Sequence, residues 1–241
     1  MLQGQPYCGA APLPPEIWLR WNLDPIVIAG ILALCIFQVS RANSKATNRV
    51  VVGWLIAALA FVSPLCALSV ALFSARVGQH MVLVLIAAPL IATGLAGPRG
   101  FGVLLAATVS FCLALWFWHM PAPYDASLHS TPIYWAMHAT LLGSAIMLWA
   151  ALRNATNAGT ALAAGTAASM AMGLLGAVIA LGNHPLYLWH LNTTWSWGLD
   201  PLTDQHLGGL IMWVPGSILF VVVAVTAFAG ILRAERPLSA A

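Results

Sequence analysis

Three histidines in this chain have methionine as an immediate neighbour: His80-Met81, His119-Met120 and Met137-His138. Imidazole and thioether with few carboxylates suit copper, Cu(I) in particular, better than magnesium, calcium or manganese. Adjacent residues on a helix diverge by about 100°, so a doublet does not chelate one ion by itself. There is no HxxxH or HExxH pair either. A metal site must therefore be assembled from different helices, with His80, His119, His138 and His206 as candidate imidazoles and Met81 and Met212 as candidate sulfurs. Asp204, two residues before His206, is a candidate to orient a ligand or to cap the helix that opens there.

The elements that must position these groups follow from composition. Of 241 residues, 61% are hydrophobic and only 6% charged, and the mean hydropathy is +0.89. Soluble domains carry roughly a quarter charged residues, so most of this chain must face lipid or another helix. Nucleic-acid binders, disordered tails and secreted disulfide domains are excluded. A membrane-spanning helix needs about 20 apolar residues. Seven stretches qualify, near Pro25 to Ser40, Val50 to Phe73, Val77 to Ala96, Phe101 to Trp118, Pro132 to Leu152, Thr160 to Leu181, and His206 to Leu232. The expected fold is all-α: one polytopic membrane domain over residues 1–241, with an outer tail (1–24), a seven-helix bundle (25–232) and an inner C-terminal tail (233–241). Trp18 and Trp21 read as interfacial anchors on an exposed tail.

Lysine and arginine set the orientation. With the N-terminus outside, the inner loops and tail hold Arg41, Lys45, Arg49, Arg99, Arg153, Arg233 and Arg236, and the outer side keeps Arg20 and Arg76. Seven against two favours N-out and C-in, and all seven histidines then fall on the outer side. His129, His184 and His190 are explained well enough as loop residues. His80 and His138 lie within spans, where an ionisable side chain is costly and is by default a functional-site hypothesis. Cys35, Cys66 and Cys112 sit in apolar runs and are expected as buried thiols; with Cys8 they form no CxxC or CxxCH motif. Gly165, Ser169, Gly173 and Ala177 form a small-residue stripe that marks the sixth span as a central scaffold.

Three stretches carry a family resemblance: GQHMVLVLIAAPL at Gly78 to Leu90, WHMPAPYDASLHSTPIYWAMH at Trp118 to His138, and PLTDQHLGGLIMWVPG at Pro201 to Gly216. Together they resemble the seven-helix bacterial cytochrome c oxidase assembly factors of the CtaG type. The resemblance implies a non-catalytic role in maturing a haem-copper oxidase of the cytoplasmic (inner) membrane, through copper supply, with oxidase subunits and other copper chaperones as partners. Two family histidines differ here: the first position of an HMxQH pattern is Arg76, and one turn before His138 stands Tyr134. That leaves either a transient copper site, as suits a donor, or a scaffold without metal.

Two other functions fit the residues less closely. A haem b electron-transfer protein could use His80 and His138 as axial ligands, and an intramembrane metallohydrolase would need Asp204 or Asp125 as general base near zinc. A retinal protein is excluded, because the only lysine, Lys45, lies in a loop.

The orientation is testable by labelling. A cysteine introduced at Asn43 should stay unreactive toward an impermeant thiol reagent in intact cells and react after permeabilisation; labelling before permeabilisation reverses the orientation and moves every histidine to the inner side.

Overall fold

A computed structural model describes residues 5–96 and 100–234, with no account of the side chains at 217, 219–221 and 223–234. The side chains of Arg99, Arg233 and Arg236, expected on the inner side, and the inner tail from residue 235 lie outside what is described. The described residues form helices and no strands. They comprise α1 (Pro25–Val39), α2 (Ser44–Val62), α3 (Leu65–Ala71), α4 (Phe73–Met81), α5 (Ala88–Ala92), α6 (Phe101–His119), α7 (Pro121–His129), α8 (Thr131–Arg153), α9 (Ala158–Ala180) and α10 (Pro201–Ala234). A π-helical turn, Val82–Ala87, joins α4 to α5 into one rod, Phe73–Ala92.

Five helical segments are long and apolar enough to cross a membrane: Ser44–Val62, Phe73–Ala92, Phe101–His119, Thr131–Arg153 and Ala158–Ala180. Pro25–Val39 is apolar but has 15 residues, and α10 runs for 34. The helix boundaries follow local chemistry. Asp24, Asn43 and Asn157 accept hydrogen bonds from the first turns of α1, α2 and α9, satisfying N–H groups that have no partner within the helix. Asp200 does the same for α10, through the amides of Leu202 and Thr203.

The second expected span, Val50 to Phe73, is divided. Ser63-Pro64 ends α2, and Leu72 is extended between α3 and α4 (φ −126°, ψ 131°), so the helix carrying His80 starts at Phe73 instead of Val77. Proline explains the first break, since it cannot continue the α-helical ladder. It also accounts for the π turn. Pro89 supplies no N–H and its ring crowds the preceding carbonyls, so the ladder widens ahead of it. Trp149 Nε1 donates to the Val84 carbonyl in that turn at 2.9 Å.

The rod Phe73–Ala92 is the centre of the bundle, with 61% of its apolar window buried, against 39% for α9. The expectation that the sixth span is central is therefore corrected. Its closest seam is with α10: a Cβ on Gly209 would lie 2.4 Å from Ala180 N, and one on Gly176 would lie 2.6 Å from Trp213 N, while its other face meets α6, where Trp116 Nε1 donates to the Ala171 carbonyl. The α9 and α10 backbones touch, and small residues permit that approach. The π-joined rod instead packs against α2, α8 and α10.

One carboxylate holds α10 to the start of the rod. Asp204, fully buried, accepts the Phe73 amide at 2.6 Å, the Ser74 amide at 3.2 Å and the Ser74 hydroxyl at 2.5 Å. It caps α4, not its own helix. Gly208 makes room alongside, since a Cβ there would sit 2.4 Å from the Phe73 ring. Removing the carboxylate strands two buried amides, so Asp204→Ala should cost about 2–3 kcal/mol. Thermal unfolding in detergent should show a clear fall in Tm, with Asp204→Asn intermediate; an unchanged Tm would remove the cap from the account.

Candidate metal centre

The N-terminal segment, α3, α7 and the 181–200 connection lie at one end of the bundle, called here the upper end. Two turns below it, three histidines from three helices meet. His80 comes from α4, His119 from the last turn of α6 and His138 from the third turn of α8, and each is 1–3% exposed. The His80 ring lies 5.5 Å from that of His119 and 5.2 Å from that of His138, centroid to centroid, edge to face in both cases. Phe61 and Tyr134 close the far side of His138, at 5.1 and 4.2 Å.

The hydrogen bonds fix the tautomers of two rings. His119 Nδ1 is 2.7 Å from the Leu115 carbonyl oxygen and His138 Nδ1 is 2.9 Å from that of Tyr134. A carbonyl only accepts, so each Nδ1 carries the proton and each Nε2 carries a lone pair. Both Nε2 atoms are buried without a partner, as are both ring nitrogens of His80. An unsatisfied buried polar atom costs about 1–3 kcal/mol, and four such nitrogens lie on these three neighbouring rings. Three neutral imidazoles without a carboxylate are the donor set of a soft or borderline metal, and a backbone carbonyl behind Nδ1 is the usual support for such a ligand. As they stand the rings meet edge to face, and among the described residues no group of three or more His, Cys, Asp or Glu side chains is arranged to hold an ion. Binding requires the His80 ring to turn, and neither of its nitrogens has a hydrogen bond to resist that. The direct contact of His80 with His138 leaves no slot for a macrocycle between them, so the pair does not have the geometry of axial haem ligands.

The other sequence candidates are placed elsewhere. His206 donates from Nε2 to the Gly182 carbonyl at 2.7 Å, which ties α10 to the end of α9. Gln205 beside it accepts the Leu186 amide at 2.6 Å. Asp204 is spent on α4. Met81 and Met212 are buried in the main apolar core with Phe73, Val77 and Leu115. The segment from Asp204 to Gly209 thus works as a junction between helices.

Four features of the surroundings escaped sequence reasoning. Arg76, counted there as an outer loop charge, is 1% exposed. Its guanidinium donates to Ser127 Oγ at 2.9 Å and lies over the rings of Tyr124 and Tyr134 at 5.2 and 5.7 Å. It stands one turn before His80 on the same face of α4, and among the described residues no carboxylate pairs with it. Second, Cys8 and Cys66 form a disulfide, Cα atoms 5.5 Å apart, which corrects the expectation of free buried thiols; Cys35 and Cys112 are free. The signal was available, since both cysteines fall on the histidine side of the expected topology. Third, the tail is only partly exposed. Trp18 and Trp21 are open to the surroundings at 78% and 51%, but Tyr7 stacks on Tyr134 at 4.9 Å and donates to Asp24 at 2.7 Å. Tyr134 carries no hydroxyl toward the histidines; its Oη lies against the two sulfurs.

The fourth is His190, expected in an open loop and found 2% exposed. Tyr124 donates to its Nε2 at 2.7 Å, and its Nδ1 faces the Ala71 carbonyl at 3.3 Å. Burial, with the Arg76 charge added, pushes its pKa down to about 3. The unfolded chain therefore takes up this proton first, near the ordinary value of about 6.5, and stability present above that pH is lost as pH falls toward 3. In detergent, Tm should drop between pH 7 and pH 4, and His190→Gln should flatten that slope while lowering Tm at pH 7. An equal slope in wild type and variant would assign the acid sensitivity to other groups.

Residues 33–99 and 99–234 match the family model described as cytochrome c oxidase caa3 assembly factor (Caa3_CtaG). No curated protein and no solved structure matches the chain significantly. The match takes in the helices that carry His80, His119 and His138 and the junction at Asp204, and on that extent the chain belongs to the cytochrome c oxidase caa3 assembly factor family.

Proposed function

We propose that this protein supports assembly of a haem-copper cytochrome c oxidase by receiving Cu(I) at His80, His119 and His138 and passing it on to an oxidase subunit or another copper chaperone. The role is non-catalytic, and copper is cargo. The observation that carries the reading is the set of four partnerless ring nitrogens in one buried chamber. Arg76 makes the site a weak one. A fixed positive charge one helical turn from His80 raises the cost of a second cation in a low-dielectric interior, which favours release over storage. Met81 and Met212 are reserve sulfur donors that would have to leave the core to reach the ion.

The setting is the bacterial cytoplasmic membrane, with α1 and α10 completing seven spans and the histidine end outside. Two independent features support that orientation: the lysine and arginine distribution, and a disulfide at the histidine end, as expected of an oxidising compartment.

A deletion strain should lose cytochrome c oxidase activity in copper-poor medium and regain part of it when copper is added. Complementation with His80→Ala, His119→Ala or His138→Ala should fail in copper-poor medium, with Cu(I) affinity of the purified protein down by about tenfold or more. His184→Ala should complement fully. Full complementation by all three chamber variants would leave a scaffold role and sink the copper site.

A further inference from the structure

His80, His119 and His138 are 1–3% exposed, and the N-terminal segment lies over the Tyr134 ring that covers His138. From Tyr7 to Pro12 the chain crosses the upper end as a strap. Tyr7 stacks on Tyr134 and meets Trp135 edge on at 5.0 Å, and the Pro12 carbonyl accepts from Trp197 Nε1 at 3.1 Å. The one covalent tie is the disulfide to Cys66 in α3. Both sulfurs touch the Tyr134 hydroxyl, at 3.5 Å from Cys8 and 3.7 Å from Cys66, and the Tyr134 ring rests on His138. The sulfur pair, one tyrosine and the imidazole cluster therefore lie in sequence from the surface inward.

We propose that Cys8 and Cys66, once reduced, are a Cu(I) entry site that feeds the histidine chamber, and that their disulfide is the latch that keeps it closed. This rests on the copper-handling reading above. Thiolates are the preferred ligands of Cu(I). With metal–sulfur bonds of about 2.3 Å, a linear site needs its sulfurs about 4.6 Å apart. Side-chain rotation alone supplies that separation when the Cα atoms are 5.5 Å apart. Asn22 Nδ2 already donates toward Cys66 Sγ at 3.7 Å.

Opening is a thiol–disulfide exchange with an extracytoplasmic dithiol as reductant. Cys66 is fully buried, whereas Cys8 lines an open depression with Tyr7, Gly9, Arg20 and Asn22, so attack falls on Cys8. The reductant's thiolate bonds to Cys8 Sγ and the Cys66 thiolate leaves. The reductant's second thiol then displaces Cys8, so the reductant becomes a disulfide and two electrons pass to the pair. Each released thiolate takes up a proton, and one Cu(I) binding to both displaces the two protons again. With the tie cut, the strap is held by noncovalent contacts alone, those of Tyr7, Ala11 and Pro12 among them, and can lift.

The test is Cu(I) transfer from a coloured Cu(I)–bicinchoninate complex to the full chain in detergent. Four forms are compared: oxidised wild type, wild type reduced with a phosphine that is then removed, Cys8→Ser/Cys66→Ser, and the reduced His80→Ala/His119→Ala/His138→Ala variant. Uptake by the oxidised form should be slower by about tenfold or more, because rate scales with the fraction of chains whose strap is open. The serine variant, unlatched but without the entry thiols, should load faster than the oxidised form and slower than the reduced one, and take up one ion fewer per chain than reduced wild type. The reduced histidine variant should keep the ion held by the thiols. Equal rates and equal stoichiometry in oxidised, reduced and serine forms overturn the proposal. Equal stoichiometry in reduced wild type and the histidine variant would instead overturn the chamber reading, and the thiol site would still be decided by the serine variant.

Discussion

The carboxylate of Asp204 is the constraint on which the upper half of this bundle depends. A helix that begins inside an apolar bundle exposes amides that lipid cannot satisfy. The rod Phe73–Ala92 begins in that way, because Leu72 is extended and α3 cannot run into it. Asp204 reaches from α10 to take the amides of Phe73 and Ser74 and the Ser74 hydroxyl. Its negative charge also suits the positive end of the helix dipole. The cap sets where α4 starts, and with it the height and facing of Arg76 and His80.

The neighbours of Asp204 extend the same junction. Gln205 and His206 take up loose backbone groups after α9. Gly208 admits the Phe73 ring, and Gly209 lets α10 touch α9 at Ala180. Five of the six positions from Asp204 to Gly209 thus join three helices. The polar ones look like ligands in a sequence, but each is already hydrogen-bonded to protein. His80 contrasts with them: both of its ring nitrogens are buried without a hydrogen-bond partner.

Around the imidazoles the environment combines attraction and resistance. Backbone carbonyls hold two rings in the metal-binding tautomer, while Arg76 places a permanent charge nearby without an acid to neutralise it. Aromatic faces of Tyr124 and Tyr134 and the Ser127 hydroxyl make that burial tolerable. In the proposed copper role these opposed terms favour an ion in transit, and the disulfide ties the N-terminal strap above Tyr134.

The sequence by itself determined the class of the molecule. Its apolar runs specify membrane-length helices, proline and capping residues specify most helix ends, and the cost of histidine within a span singled out His80 and His138. Helix phase along one segment says nothing about which segments pack together, and that was decided in three dimensions. The tertiary structure added His119 to the pair and withdrew His206, because the His119 ring meets that of His80 across two helices while His206 is bonded to the Gly182 carbonyl after α9. It turned Asp204 from a cap of its own helix into the cap of another, and buried Arg76 and His190, which local polarity had placed in loops. It also paired Cys8 with Cys66 across 58 residues, a contact that exists only once the tail folds back over the bundle.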